Sequence, residues 1–322
     1  GSMTFRSGWA AVQEAAERIA EKRGSLRDRM ITWNKEGEDG NTHIIRLLDE
    51  GPIVVGIHSQ IECKDGRART FTCATELDEN RACYICENMT RETSDGSVIP
   101  VEPRVVGLGM VALRQEVRED GETRIVDVPV DVKIDPTDLD LVERLESLGI
   151  TVAGDKALGV PDIGIVRQSV GNFWESFNAY YARYGSATDR DYTVTRTGEG
   201  YDTTYLAVAN DPDEALQDPD DLARHYEASR LLRTSVIEYL ERMGSEERYE
   251  RYLIPGEGDT PEAQAFARGR TLADLRAELR GDSVTDAETD ATPADPAPTP
   301  AKDEPAYESL LDRLTRLSPD AN

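Results

Sequence analysis

The chain predicts a mainly β protein with helical additions, and three features point there. Alternating apolar–polar runs recur from Met30 to Asn210, separated by short glycine-bearing turns. All four cysteines fall between Cys63 and Cys86. After residue 280 the composition changes to Asp, Glu, Ala, Thr and Pro. The first feature argues for an antiparallel barrel or sandwich. The second marks a local metal or thiol site, and the third a segment too polar to bury a core.

Taken in order, residues 4–24 place Trp9, Val12, Ala16 and Ile19 at helical spacing, with Gly24 as a stop. This amphipathic arm (1–24) packs on the core or reaches a second copy of the chain. The core, 25–210, carries strand-like runs at Thr42–Leu48, Ile53–Glu62, Arg69–Cys73, Arg104–Arg118, Arg124–Ile134, Asp191–Thr197 and Thr203–Ala209. Two helices interrupt it. Pro136–Leu148 aligns Leu139, Val142, Leu145 and Leu148, while Val170–Tyr184 is rich in aromatics at the spacing of a packed face. Residues 211–280 read as helical, with Leu222, Tyr226, Leu231, Leu232, Val236 and Leu240 as buried positions. Residues 281–322 form an acidic disordered linker and then an apolar stripe, Tyr307, Leu310, Leu311, Leu314 and Leu317, suited to docking on a partner.

The formal net charge is −26, from 63 acids against 37 bases. The tail from Gly281 holds ten acids and three bases, so the rest stays strongly acidic and any basic groove is local. Only six bases are Lys; the others are Arg, which pairs bidentately with phosphate and stacks on rings. No apolar run approaches the ~20 residues of a membrane span, and no signal peptide opens the chain, so a cytoplasmic location is expected. No H-E-x-x-H, P-loop or nucleophile-elbow motif occurs, so no enzyme activity is expected.

Clustered cysteines in a cytosolic chain favour metal binding over disulfides. Cys83-Tyr84-Ile85-Cys86 is a C-x2-C pair that chelates from a tight knuckle, and Cys73 lies ten residues before it. A structural zinc takes four N or S ligands. The fourth is His58 or Cys63. Asp65-Gly66 favours a two-residue type I′ hairpin turn, which pairs Lys64 with Arg67 and, further along, His58 with Cys73. Cross-strand partners lie ~5 Å apart, suitable for one ion. Cys63 would sit five strand residues from Cys73, roughly 17 Å away. A longer turn changes the register and admits the all-cysteine set.

Cys73-x9-Cys83-x2-Cys86 preceded by a histidine resembles the zinc knuckle of phage single-stranded DNA-binding proteins of the T-even helix-destabilising type, and more closely their actinobacterial-phage branch. Ser7-Gly8-Trp9-Ala10-Ala11-Val12, the stretch Thr188–Arg196 and Asp202-Thr203-Thr204-Tyr205 are similar to segments of that branch. The resemblance spans roughly Phe5 to Ala209. It implies an OB-fold-like barrel with an inserted zinc knuckle, zinc ligands at His58, Cys73, Cys83 and Cys86, cooperative coating of single strands, and an acidic C-terminal region that contacts replication proteins. Cys63 has no counterpart in it.

The expected function is therefore binding of single-stranded DNA in phage replication, recombination or repair. The alternative is a zinc-stabilised protein-binding adaptor without DNA binding. Sequence-tolerant binding needs cations along the phosphates and rings for the bases. Arg190, Tyr192 and Arg196 share one strand face with Val194 as its floor, and Tyr205 follows on the next run. Arg114, Arg124, Lys133, Phe71 and Tyr84 are further DNA candidates. His43 and His225 are isolated and read as ordinary surface or core residues.

Overall fold

The computed structural model describes residues 29–256. The expected arm at 1–24, the residues 257–280 and the tail with Tyr307, Leu310, Leu311, Leu314 and Leu317 lie outside the described residues. The described residues divide into two compact units, 29–54 with 106–239 and 55–105 with 240–256. The helical stretch after Asn210 is thus shared between them.

The chain opens the first unit with β1 (Thr42–Leu47) and then builds much of the second. It runs through β2 (Ile53–Glu62), β3 (Ala68–Thr72), α1 (Ala74–Leu77), α2 (Tyr84–Asn88), β4 (Thr90–Glu92) and β5 (Val98–Pro100). It returns through β6 (Arg104–Glu119), β7 (Glu122–Asp127), β8 (Pro129–Lys133), α3 (Leu139–Ser147), β9 (Thr151–Ala153), β10 (Lys156–Pro161) and β11 (Ile163–Ser169). A π-helical turn, Val170–Trp174, leads into α4 (Glu175–Tyr184). Then come β12 (Asp191–Thr197), β13 (Thr204–Ala209), α5 (Pro219–Leu231), α6 (Val236–Met243) and α7 (Glu246–Tyr252).

The first unit is an antiparallel sheet in the order β13-β12-β1-β6, with β11 and β7 on the other edge of β6. Among the described residues no pairing closes this sheet into a barrel, so the expected barrel is an open antiparallel sheet. The run expected as one strand from Arg124 to Ile134 breaks at Val128. Its first half pairs with β6, and its second joins the separate sheet β8-β10-β9. Two apolar clusters hold the unit. One gathers Trp33, Ile45, Phe173, Trp174, Phe177, Tyr192 and Val194. Gly107 and Gly109 on β6 leave the slot for Trp174, since a Cβ at either would stand 2.5–2.6 Å from its indole. The indole N–H donates to the Gly107 carbonyl at 2.9 Å.

The aromatic helix thus packs through Phe173, Trp174 and Phe177, while Tyr181 and Tyr184 are exposed. In α3 Leu145 is buried, with Leu141 and Val142 packed on the same cluster, while Leu139, the first residue of the helix, is exposed. In the second unit Ile61, Phe71, Ile85, Tyr249 and Leu253 pack with three cysteines into one cluster. Among the described residues no helix is long and apolar enough to cross a membrane.

Candidate metal centre

The β2–β3 hairpin turns through three residues rather than two. Cys63 N–H donates to Arg67 O at 3.0 Å and Gly66 N–H to Cys63 O at 2.8 Å, with Gly66 at φ 74°. This is the longer loop in which a left-handed glycine completes the turn. A second irregularity lies between His58 and Ile61, where Gln60 has φ 58°. The register becomes Glu62 with Ala68, then His58 with Phe71. The expected pairing of His58 with Cys73 is therefore corrected. The turn and the bulge each shift the register by one residue. Two shifts restore the alternation of faces, so His58 and Cys73 still project to the same side as diagonal neighbours.

Cys83 precedes α2 and Cys86 lies within it, which brings both sulfurs round to the same point. The ligand atoms of His58, Cys73, Cys83 and Cys86 all lie within 4.8 Å of one another. His58 Nε2 is 3.4 Å from both Cys83 Sγ and Cys86 Sγ, and Cys73 Sγ is 3.8 Å from Cys86 Sγ. Tetrahedral zinc with ordinary Zn–S and Zn–N bonds has edges of ~3.8 Å between sulfurs and ~3.6 Å between sulfur and nitrogen. The donor set fits that ion in type, number and spacing. Cys63 is fully buried but stands outside the group, its thiol donating to Ile61 O at 3.4 Å.

The thiols are electrostatically linked. Hydrogen bonding from Cys73, against the cost of burial and with help from His58 and Tyr249, pulls the Cys83 thiol down to about 2. Burial and the neighbouring Cys83 charge push Cys86 up to about 11, and the hydrogen bond to Cys83 together with burial pushes Cys73 up as well. The three sulfurs thus do not ionise independently, and a cation between them would favour their charged forms.

No protein-family model, curated protein or solved structure matches this chain.

The expected DNA-contacting residues fall into several places. Tyr192 is fully buried, its hydroxyl donating to Ala187 O at 3.0 Å, and Phe71 is fully buried against Tyr249. Neither ring has a face for a base. The face shared by Arg190, Tyr192, Val194 and Arg196 turns inward: alternation was read correctly, but the α4 aromatics cover that side. Arg190 is buried, pairs with Asp189 and stacks on Tyr184 at 3.8 Å. Arg196 donates to Trp33 O at 2.8 Å, and Tyr205 packs on Trp33 and Phe173. Lys133 is exposed near Asp155, and Tyr84 is half-buried beside the cysteines.

Arg114 and Arg124 line a cleft of about 920 Å³ in the first unit. Asp127, Asp191, Asp211, Asp213, Glu214 and Asp221 line it too, against Arg114, Arg124 and Arg224. Such a wall repels a phosphate chain. Behind it runs a buried network that sequence reading missed. Arg46, fully buried, meets Asp221 and donates to Leu216 O at 2.6 Å. His225, also fully buried, contacts Asp127 through Nε2 at 2.8 Å and Asp221 O through Nδ1 at 2.7 Å. Burial opposes the charge on Asp127, but the His225 hydrogen bond and the Arg114 and Arg224 guanidiniums outweigh it and hold the carboxyl well below its usual range. Burial pushes Asp191 up to about 6; Arg114 and Arg46 offset this only in part.

Three arginines of the second unit gather instead around one ring. Arg69 lies 4.0 Å from the Tyr252 centroid while pairing with Asp65 at 2.6 and 2.7 Å; Arg248, which donates to Thr70 O, and Arg251 each lie 5.4 Å from it. None of the three was singled out from the sequence, because they meet only when α7 packs on β3.

Proposed function

We propose that this chain is a single-stranded DNA-binding protein whose second unit is held together by one structural zinc ion. His58, Cys73, Cys83 and Cys86 would hold the ion, and its chemistry there is folding energy. Four protein ligands leave no position for a reactive water, which favours a structural over a catalytic role. The observation that carries DNA binding is the cluster of Arg69, Arg248 and Arg251 around Tyr252. Guanidiniums beside an aromatic ring supply the two things sequence-tolerant binding requires, phosphate neutralisation and a stacking surface. An OB-like core, action in phage replication and recruitment of replication proteins through the acidic tail belong to the same proposal.

Anisotropy titration of labelled oligo(dT) and of a matching duplex tests it. Binding is expected to favour the single strand and to weaken as salt rises, because phosphate contacts release counterions. Equal affinity for both forms, or none at low salt, overturns it.

The protein-binding adaptor remains the second reading, favoured by the edge strand β13. Leu206 and Val208 project outward there at 61% and 48% exposure, with Tyr201 fully exposed just before it. An apolar edge strand of this kind suits pairing with a peptide.

A further inference from the structure

We propose that Tyr249 is a positioning residue of the metal centre, so that metal loading and docking of residues 240–256 are a single coupled event. The proposal rests on the metal reading above and concerns a residue far from the ligands in sequence.

Tyr249 is 3% exposed. Its hydroxyl donates to Thr72 O at 2.9 Å and lies 3.4 Å from Cys83 Sγ. Its ring packs edge-on against Phe71 at 5.2 Å. The single hydroxyl hydrogen has two acceptors within reach, Thr72 O and the Cys83 sulfur. A metal-bound thiolate only accepts, and a charged acceptor binds a hydroxyl hydrogen more strongly than a carbonyl does. The hydroxyl hydrogen is thereby drawn toward the sulfur. His58 Nδ1 is buried with no hydrogen-bond partner among the described residues. The outer support that metal-bound histidines usually receive falls here to a sulfur.

The rest of the segment is tied to the same hairpin. Lys64 Nζ donates to Glu250 O at 3.0 Å and Ile254 O at 2.8 Å, closing the C-terminal end of α7. Lys64 N–H donates to Tyr252 O at 2.9 Å and Arg248 Nη2 to Thr70 O at 3.0 Å. Lys64 and Thr70 flank the turn and strand that present Cys73. A cation that fixes Cys73 and Cys83 therefore fixes the surface on which α7 sits. Linkage makes the effect mutual: whatever loosens α7 must also loosen the metal.

The test uses the full chain. Metal content is measured first. The rate of zinc transfer to a chromophoric chelator is then compared for wild type, Tyr249→Phe and Lys64→Met, with amide exchange across 240–256 before and after zinc removal. Tyr249→Phe keeps the ring packing and should still hold one zinc but release it at least five-fold faster. The thiolate-to-metal band of its cobalt form should move to longer wavelength, which a purely structural role would not cause. Lys64→Met, whose side chain stands away from the ligands, should also speed release. Zinc removal from wild type should raise exchange throughout 240–256, a readout that survives if a variant fails to fold. One zinc per chain with unchanged release rates and unchanged exchange overturns the coupling alone. A chain that binds no metal overturns the metal reading and the coupling together.

Discussion

His58 stands opposite Phe71 in the β2–β3 ladder, yet its ring nitrogen meets the sulfurs of Cys83 and Cys86 at 3.4 Å. A three-residue turn and a bulge at Gln60 each slip the ladder by one, and together they leave His58 on the face of Cys73. A single slip would have turned the imidazole to the other side of the sheet.

It follows that Cys63 is dispensable for the metal. Cys63→Ser should retain one zinc per chain and lose ~1–3 kcal/mol of stability, because a hydroxyl is buried in an apolar site. Cys83→Ser and His58→Ala should lose the zinc. Elemental analysis of the purified variants checks this. Zinc lost from Cys63→Ser but kept by His58→Ala would restore the all-cysteine set.

The two tyrosines favoured in turn by sequence and by structure separate cleanly. Tyr192→Ala should cost ~3–5 kcal/mol of folding stability, since it empties the core beside Phe177 and Tyr180. Tyr252→Ala should weaken oligo(dT) binding by ~1–3 kcal/mol while leaving the first unit's stability unchanged. Urea unfolding and anisotropy on the same two variants measure both. The reverse pattern would return the DNA contacts to β12.

Much of this was legible in the sequence, and the failures have physical causes. β2 and β12 were found to the residue because both are rich in β-branched residues and lie beside turn glycines, Gly51 and Gly198. β11 went unseen: Ile163, Gly164, Ile165 and Val166 are all buried, so no alternation appears. Gly164 is required where Ile31 packs, since a Cβ would stand 2.6 Å from it. The metal ligands were readable because their spacing is local. Tyr249 was not, because it reaches Cys83 across 166 residues and nothing in the α7 sequence marks it. Arg46 and His225 likewise meet only in the folded chain, where α5 covers β1.

The network around Asp191 gives a pH signature. Its carboxyl is raised from 3.8 to about 6, first by burial. Folding therefore disfavours its ionised form. Its contribution to stability is fully present below the unfolded value near 4 and is lost as pH rises through 6. Asp127 has the opposite sign: it is held low, so its contribution is present above pH 4 and fails only in stronger acid. Between pH 7 and pH 4 wild type should gain ~2 kcal/mol relative to Asp191→Asn. Urea unfolding at four pH values reads the difference; parallel stability curves would contradict it.

Arg46→Met should be severe for a related reason. Removing the guanidinium leaves the Leu216 carbonyl without its donor and Asp221 with Arg224 as its remaining cation, at ~3–5 kcal/mol. A Tm within a few degrees of wild type would show that the network is not under tension from burial.

Zinc K-edge absorption on the purified chain reads the centre most directly. Three sulfurs at ~2.3 Å and one nitrogen at ~2.0–2.1 Å, with no oxygen in the first shell, is the expected result. Four sulfurs, an oxygen ligand, or no bound zinc would contradict the site formed by His58, Cys73, Cys83 and Cys86.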